Sequence, residues 1–438
     1  MRGIKGKIFV GACVVAALIV MSGAALYGQS ERPFYDVITV DSAITPAIAG
    51  YIIQSVDSSY TEGAQGLIIL LDTPGGLDVA MRDIIKELLN ARIPVIVFVY
   101  PSGARAASAG VMITMAAHIA AMAPGTNIGA AHPVAMGFGG KVDETMAKKI
   151  ENDAVAYAKG IAKKKGRNAE WVEQAVRKSV SITAEEALTL NVIDFVVGDV
   201  DSLLKSIDGK TVSLASGDVT LRGKGALVNR KAMGLRDRIL TTLSDPNIAY
   251  LLLMIGLAGL YFEFAHPGAI LPGVIGGISL ILAFFALQTL PVNFAGILLI
   301  IFGIILFIAE IKIVSHGMLS VAGVIALVLG SLLLFESPIP ALRVSLRVMI
   351  PTIIITTLFF VAVVGLAVKA QMKKPETGVE GMIGQEGRTI TPVHENGKVF
   401  IKGEYWNAFS KDEIEEDVKI TVVGLKGLTL EIKSIEEE

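Results

Sequence analysis

The sequence predicts three folds in series: an α/β layered domain, a block of membrane-spanning helices and a small all-β barrel. Three observations lead there. From about Val37 to Val197, short apolar strand-like runs alternate with helix-like runs. From Ile248 to Val368 the chain is almost continuously apolar, and from about Gly378 to Glu438 short strand-like pieces are separated by glycines. At 438 residues the chain exceeds one ordinary core. Hydrophobic residues make up 53% of it and the mean hydropathy is +0.61, above the usual soluble range. The excess sits in the middle block, so the composition is that of a membrane protein with soluble parts. The net charge of −2 gives no reason to expect a nucleic-acid partner. The single cysteine, Cys13, lies in the N-terminal apolar segment, which removes disulfides, Cys-based zinc sites and cysteine catalysis from the rest of the chain. The five histidines show no metal-ligand spacing, so neither a metal nor an organic cofactor is expected.

Each element can be justified in order. Residues 1–28 carry a basic patch (Arg2, Lys5, Lys7), an apolar run from Ile8 to Val20 and small residues from Ser22 to Gly28. That is the order of a signal peptide or N-terminal anchor, so the segment that follows is expected to be exported. In residues 29–205 the strand-like runs are Val37–Val40, Leu67–Leu71, Val95–Tyr100, Ile119–Ala123 and Val192–Val197. Helix-like runs open at Thr45-Pro46 and span Leu77–Ala91 between them. Such alternation argues for an α/β layer structure. Residues 206–246 are irregular and read as an edge element plus linker.

Residues 247–370 hold about five candidate spans, near 248–264, 270–288, 292–309, 317–335 and 350–368. His266 and Gly273-Val-Ile275 recur 50 positions later as His316 and Gly323-Val-Ile325, which hints at a duplicated two-span unit. Five spans after an exported domain put the C-terminus inside, and Lys369, Lys373 and Lys374 agree with the positive-inside rule. Arg343 and Arg347 then lie outside, against the rule. Residues 376–438 carry strand-like pieces at Arg388–Ile390, Lys398–Lys402, Val418–Val423 and Leu428–Ile432, the pattern of an OB-like barrel. Tyr405, Trp406 and Phe409 read as core or a protein-contact face, because no basic stripe accompanies them.

Ser108 is the residue that points to chemistry. It lies in Ser102-Gly-Ala-Arg-Ala-Ala-Ser-Ala-Gly110, between the strand-like run Pro94–Tyr100 and the helix-like run Val111–His118. Small neighbours at a strand-to-helix turn leave a hydroxyl accessible, and the helix start offers amides for an oxyanion. A serine N-cap is the competing reading. A second strand-to-loop junction, Gly66-Leu-Ile-Ile-Leu-Leu-Asp-Thr-Pro-Gly-Gly76, lies upstream. A nucleophilic serine needs a base, and His132, Lys148 and Lys149 follow it. In the helix-like stretch Thr145–Lys165 the apolar stripe is Ile150, Ala154, Tyr157 and Ile161. Lys149 lies about 110° from the stripe's centre and Lys148 about 150°, so Lys149 can lean inward while Lys148 faces solvent. A lysine acts as a base only when desolvation lowers its pKa.

Asp72-Thr-Pro-Gly-Gly76, Ser108-Ala-Gly110, Gly125-Thr-Asn-Ile-Gly129, the Lys149 helix and Ser181-Ile-Thr-Ala-Glu-Glu-Ala187 together resemble the NfeD family. These are membrane-bound serine proteases related to the Clp-protease and signal-peptide-peptidase-A class. The likeness covers nearly the whole chain. It implies an α/β spiral of the Clp/crotonase (ClpP-like) type, a multi-span α-helical membrane domain and a C-terminal NfeD-type OB-fold. It implies a Ser–Lys dyad with Ser108 as nucleophile and Lys149 as general base, and an oxyanion hole from the amides of Gly76 and Ala109, with Gly75 shaping the loop. His132 matches the histidine of the Clp-type triad, but Arg177-Lys-Ser-Val-Ser-Ile-Thr183 holds no carboxylate where the triad's acid belongs. Lys149 is therefore favoured, with His132 as the alternative base. The expected activity is that of a serine endopeptidase in the cell membrane, its protease domain outside the cytoplasm and its barrel inside. Expected partners are peptide substrates with apolar segments, the lipid bilayer, a stomatin-like membrane protein and further copies of the chain. Acyl-CoA chemistry on the same fold is one rival. A non-proteolytic scaffold with a degenerate protease domain, organising membrane microdomains, is the other.

Overall fold

The computed structural model describes residues 32–134, 143–265, 270–313, 317–335, 342–371 and 379–435, together with 315 and 337. The signal-like segment, His266, His316, Lys373 and Lys374 fall outside them, as does the side chain of Lys369.

The first domain is built on a six-stranded sheet. Its strands in chain order are β1 (Phe34–Asp41), β2 (Gly66–Asp72), β3 (Val95–Val99), β5 (Ile119–Met122), β8 (Phe195–Val196) and β11 (Leu227–Arg230), in the spatial order β11-β1-β2-β3-β5-β8. Every neighbouring pair is parallel. Parallel strands need crossovers that cover both faces, so their sequences are apolar without alternation. Val95–Val99 is buried at all five positions. On one face lie helices α1 (Pro46–Thr61), α2 (Asp78–Asn90), α3 (Ala109–Ala116), α4 (Glu144–Lys164) and α5 (Ala169–Arg177), around Ile69, Leu71, Val97 and Ile113. On the other, Leu203, Leu204 and Ile207 of helix α7 (Val200–Ile207) pack against Ile68, Leu70 and Phe98. Thr45 caps α1 as its sequence suggests, accepting from the Ile48 amide.

A second, small sheet was not legible in the sequence. It joins β4 (Arg105–Ala107), β6 (Asn127–Gly129) and β7 (Ser181–Thr183), in that order. Three-residue strands are too short to show a period, and only tertiary pairing defines them. The Thr-Ala-Glu-Glu-Ala stretch has a structural explanation: Thr183 and Glu186 form a reciprocal capping box at the start of helix α6 (Ala184–Thr189).

Residues 206–246 hold regular structure as well. Thr211–Leu214 (β9) and Gly217–Thr220 (β10) form a hairpin, and β11 closes the edge of the main sheet beside β1. Asp36, fully buried on β1, explains the docking: it accepts from Asn229 Nδ2 at 2.8 Å and pairs with Lys231 Nζ at 2.9 Å. A buried carboxylate requires such partners. The sheet domain thus runs to Lys231.

Helix α8 (Leu235–Leu243) precedes five apolar helices: α9 (Pro246–Ala265), α10 (Ile270–Thr289), α11 (Phe294–Lys312), α12 (Met318–Leu334) and α13 (Leu346–Gln371). Three, α9, α10 and α13, are long and apolar enough to cross a membrane; the apolar windows of α11 and α12 are shorter. The helices meet through small residues. A Cβ on Gly259 would lie 2.6 Å from the Pro272 carbonyl oxygen, and one on Gly303 2.8 Å from that of Gly323, so the backbones approach as closely as in small-residue membrane packing. Tyr250 and Ser331 share a hydrogen bond of 2.9 Å, the Asn293 amide donates to Leu334 O, and the Ser345 amide donates to Asn247 Oδ1 at 2.8 Å. The starts of α9, α11 and α13 therefore lie at one level with the end of α12.

The C-terminal unit is a closed barrel of five strands, β12 (Glu386–Thr389), β13 (Gly397–Ile401), β14 (Glu404–Phe409), β15 (Lys419–Lys426) and β16 (Thr429–Ser434), in the order β12-β13-β14-β16-β15. Val399, Ile401, Ala408, Ile420, Leu430 and Ile432 fill it. Trp406 packs against that core, whereas Tyr405 is 70% exposed and meets the Phe400 ring at a tilt, 5.1 Å between centroids, outside.

Candidate active site

Ser108 sits where β4 ends and α3 begins, with φ 53° and ψ −111°. That is the mirror-image extended region, which glycine enters freely and a residue with a Cβ enters at a cost of about 1–3 kcal/mol. Its surroundings hold it there. The Ser108 amide donates to Gly129 O at 3.1 Å, Val111 N–H to Ser108 O at 3.0 Å, and Ala107 N–H to Thr73 O at 3.1 Å. The Ser108 side chain makes no capping hydrogen bond to α3, so the N-cap reading fails.

The Thr73–Gly76 loop lies against this turn. Thr73 Oγ1 donates to Gly75 O and accepts from the Gly75 amide, and Ile44 N–H donates to Gly75 O at 2.8 Å. Gly75 adopts φ +116°, and a Cβ on it would stand 2.7 Å from Ser108 Cβ; one on Gly76 would stand 2.2 Å from Ile44 O. Neither position has room for a side chain. Among the described residues the amides of Gly76 and Ala109 find no acceptor. Ala109 opens α3, where the first amides have no intrahelical partner and the helix dipole favours negative charge.

Ser108, Gly76, Ala109 and Lys149 all line one cavity of about 510 Å³. Met81, Met112, Ala131, Pro133, Ile150 and Ala154 give it apolar walls, while Asp78, Arg82 and Asp153 add charge. Arg82 bonds Asp78 at 2.8 Å and Asp153 at 2.6 Å, and its guanidinium lies 4.4 Å from the centre of the Tyr157 ring. This joins α2 to α4, the helix that carries Lys149.

The phase of α4 differs from the sequence reading. Its deeply buried stripe is Val155, Ala158, Ile161 and Ala162, while Ile150 and Ala154 face the cavity. The apolar face is thus divided between core and cavity, which periodicity alone cannot distinguish. Lys148 points outward, paired with Glu144 at 3.0 Å. Lys149 lines the cavity yet is exposed, so the described residues do not desolvate it. His132 does not line the cavity; its Nδ1 lies 2.9 Å from Val176 O on α5. Sequence reasoning missed Arg82 and Asp153, since nothing in the sequence ties residues 71 positions apart. Among the described residues no cluster of His, Cys, Asp and Glu could hold a metal.

Comparison with known proteins identifies the family. Residues 35–215 match the NfeD1b N-terminal domain, 247–366 the NfeD integral membrane domain, and 379–433 the NfeD-like C-terminal, partner-binding domain. A membrane-bound protease of Pyrococcus horikoshii is 40% identical over 381 residues, covering 84% of this chain and 86% of that protein. The membrane protein NfeD1b of Bacillus subtilis is 27% identical over 457 residues, 99% of this chain and 100% of the relative. Among solved structures, a membrane protease specific for a stomatin homolog from Pyrococcus horikoshii is 33% identical, covers 49% of this chain and 100% of its own, and has a TM-score of 0.43. The chain belongs to the NfeD family of membrane-bound serine proteases.

Proposed function

We propose that the protein is an endopeptidase in which Ser108 attacks the scissile carbonyl and Lys149 is the general base. The supporting observation is that a strained, uncapped serine shares one cavity with a lysine and two unengaged amides. Ser108 Oγ bonds to the carbonyl carbon as its proton passes to Lys149 Nζ. The oxyanion takes hydrogen bonds from the Gly76 and Ala109 amides. The C–N bond then breaks, Lys149 returns the proton to the departing amine, and an acyl-enzyme remains. Lys149 next takes a proton from water as the water oxygen attacks the ester carbon. The acyl C–Oγ bond then breaks and Lys149 passes that proton to Ser108 Oγ, releasing the carboxylic acid product and restoring the free serine. An apolar segment seated between Met81, Met112 and Ile150 would shut water from the cavity and supply the desolvation a lysine base requires. The substrate is proposed to be an apolar segment of a membrane-associated protein, with a stomatin-like protein as partner in keeping with the family resemblance.

The exported placement of the protease domain and the cytoplasmic placement of the barrel belong to the same proposal. Five alternating helices whose odd-numbered members start at one level support it.

Fluorophosphonate labelling and hydrolysis of an apolar peptide test the assignment on the wild type beside Ser108→Ala, Lys149→Ala and His132→Ala. The first two variants are expected to lose both signals, by about 10³-fold or more, and His132→Ala to keep them. Loss in His132→Ala with retention in Lys149→Ala makes the histidine the base. Full activity in Ser108→Ala ends the proposal, and absence of labelling in the wild type would favour a scaffold instead.

A further inference from the structure

Helix α8 lies one turn ahead of the first membrane helix, and none of its residues is buried. Leu235 is 76% exposed and Ile239 49%. At about 100° per residue these two fall side by side at the centre of the exposed face, with Arg236 and Arg238 each about 80° away on opposite sides. The opposite face, with Asp237, Leu240 and Thr241, is partly covered, and α8 packs against α1, α9 and α10. An apolar centre with a basic shoulder on each side suits a helix lying in a bilayer surface. The leucine and isoleucine enter the acyl boundary while the arginine stems reach back to the phosphates. Single exposed apolar residues are ordinary on protein surfaces, so the neighbourhood must decide.

It does so through a groove of about 460 Å³ between α8 and the two adjoining spans. Arg238, Thr241 and Thr242 line one side, with Ile248 and Val348 from the first turns of α9 and α13 on the other. Such a groove offers a phosphate a cation and hydroxyls, and offers an acyl chain two apolar residues at the level where the spans begin. Asp245 also lines it, but its Oδ1 is taken by the amides of Asn247 and Ile248. The Ser345–Asn247 hydrogen bond brings the exposed Arg343 and Arg347 to the same end of the helices.

We propose that α8 docks the exported domain on its bilayer surface, with Arg236, Arg238, Arg343 and Arg347 binding anionic phospholipid headgroups. The two arginines that contradict the positive-inside rule then have a local task.

The test uses the full chain on a Cys13→Ser background, one copy per nanodisc. An environment-sensitive fluorophore is placed at Leu235→Cys or Ile239→Cys, with Thr220→Cys on the β10 hairpin strand as control. Spin-labelled lipid is expected to quench the first two and spare the third; equal quenching at all three sites overturns the proposal. As phosphatidylglycerol is titrated into phosphatidylcholine discs, its half-point should rise about fivefold for each Arg→Gln substitution among the four, and inorganic phosphate should not compete. No response to phosphatidylglycerol in the parent, or full competition by phosphate, refutes headgroup binding. Shielding seen only in discs holding two copies assigns the face to a contact between copies and also refutes it. Unfolding midpoints matching the parent keep misfolded variants out of the comparison.

Discussion

At Ser108 the backbone conformation supports the proposed nucleophile. The conformation disfavours any side chain, yet a serine is held there by Gly129, Thr73 and the start of α3. Strain of about 1–3 kcal/mol exceeds the roughly 0.5–1 kcal/mol of extra entropy that glycine loses on folding. Ser108→Gly should therefore be inactive but unfold at a higher temperature than Ser108→Ala, which keeps the Cβ; the reverse order in a thermal melt would show that the turn is not strained. His118 is a second residue under constraint. Its Nδ1 accepts from the Val95 amide at 3.2 Å, and burial, reinforced by Lys165, pushes its pKa from 6.5 down to about 3. The unfolded chain binds this proton more readily, so its contribution to stability is whole above about pH 6.5 and is lost as pH falls toward 3. Melting curves at pH 7.5 and pH 5 should show a smaller acid loss for His118→Gln than for the wild type. An unchanged loss would assign the acid sensitivity to other groups. Small residues made Ser108 legible as the proposed nucleophile; neither its dihedral strain nor the His118 environment leaves a mark in a linear pattern.

Elements were legible where length and burial made them periodic. The buried strands at Leu67–Leu71 and Val95–Val99 and the apolar helices stood out because their whole runs are apolar. β4, β6 and β7 did not, being three residues each. β14 was missed because only Ala408 on it is fully buried while its aromatics lie outside or at the margin. The contact between α2 and α4 was equally hidden, and it bears on the site. Lys149 and Asp153 are one turn apart on α4, and Arg82 grips Asp153 while stacking on Tyr157. The pair is largely solvent-exposed, so its worth to stability is small, on the order of 1 kcal/mol or less. Its worth to turnover is larger if it sets the reach of Lys149, since a displacement of about 1 Å can cost about 10²-fold. Arg82→Ala should lower kcat by about tenfold or more with little change in melting temperature, and Arg82→Lys should recover part of it. A kcat that merely follows the melting temperature would reduce the pair to a surface tie.

For the whole molecule, the order of parts and their classes could be read directly from composition: apolar block between two soluble units. What composition could not give was the end of the first unit, because β11 is short and polar and its attachment depends on Asp36, 193 positions away from Asn229. Alternation of the five apolar helices carries the topological reading. On the Cys13→Ser background, a membrane-impermeant maleimide applied to intact cells should label Thr220→Cys and leave Glu404→Cys unlabelled until the cells are opened. Labelling of both from outside would require an even number of crossings.

The placement of β11 has a mechanical consequence. The polypeptide that tethers the hydrolytic unit to its anchor is itself the outermost rung of that unit's scaffold. A pull from the lipid side is thus delivered to β1, whose far end leads by way of Ile44 to the glycine loop beside Ser108. A cut upstream of Leu227 would strip that rung and leave the Asp36 carboxylate in the interior without its amide and ammonium companions.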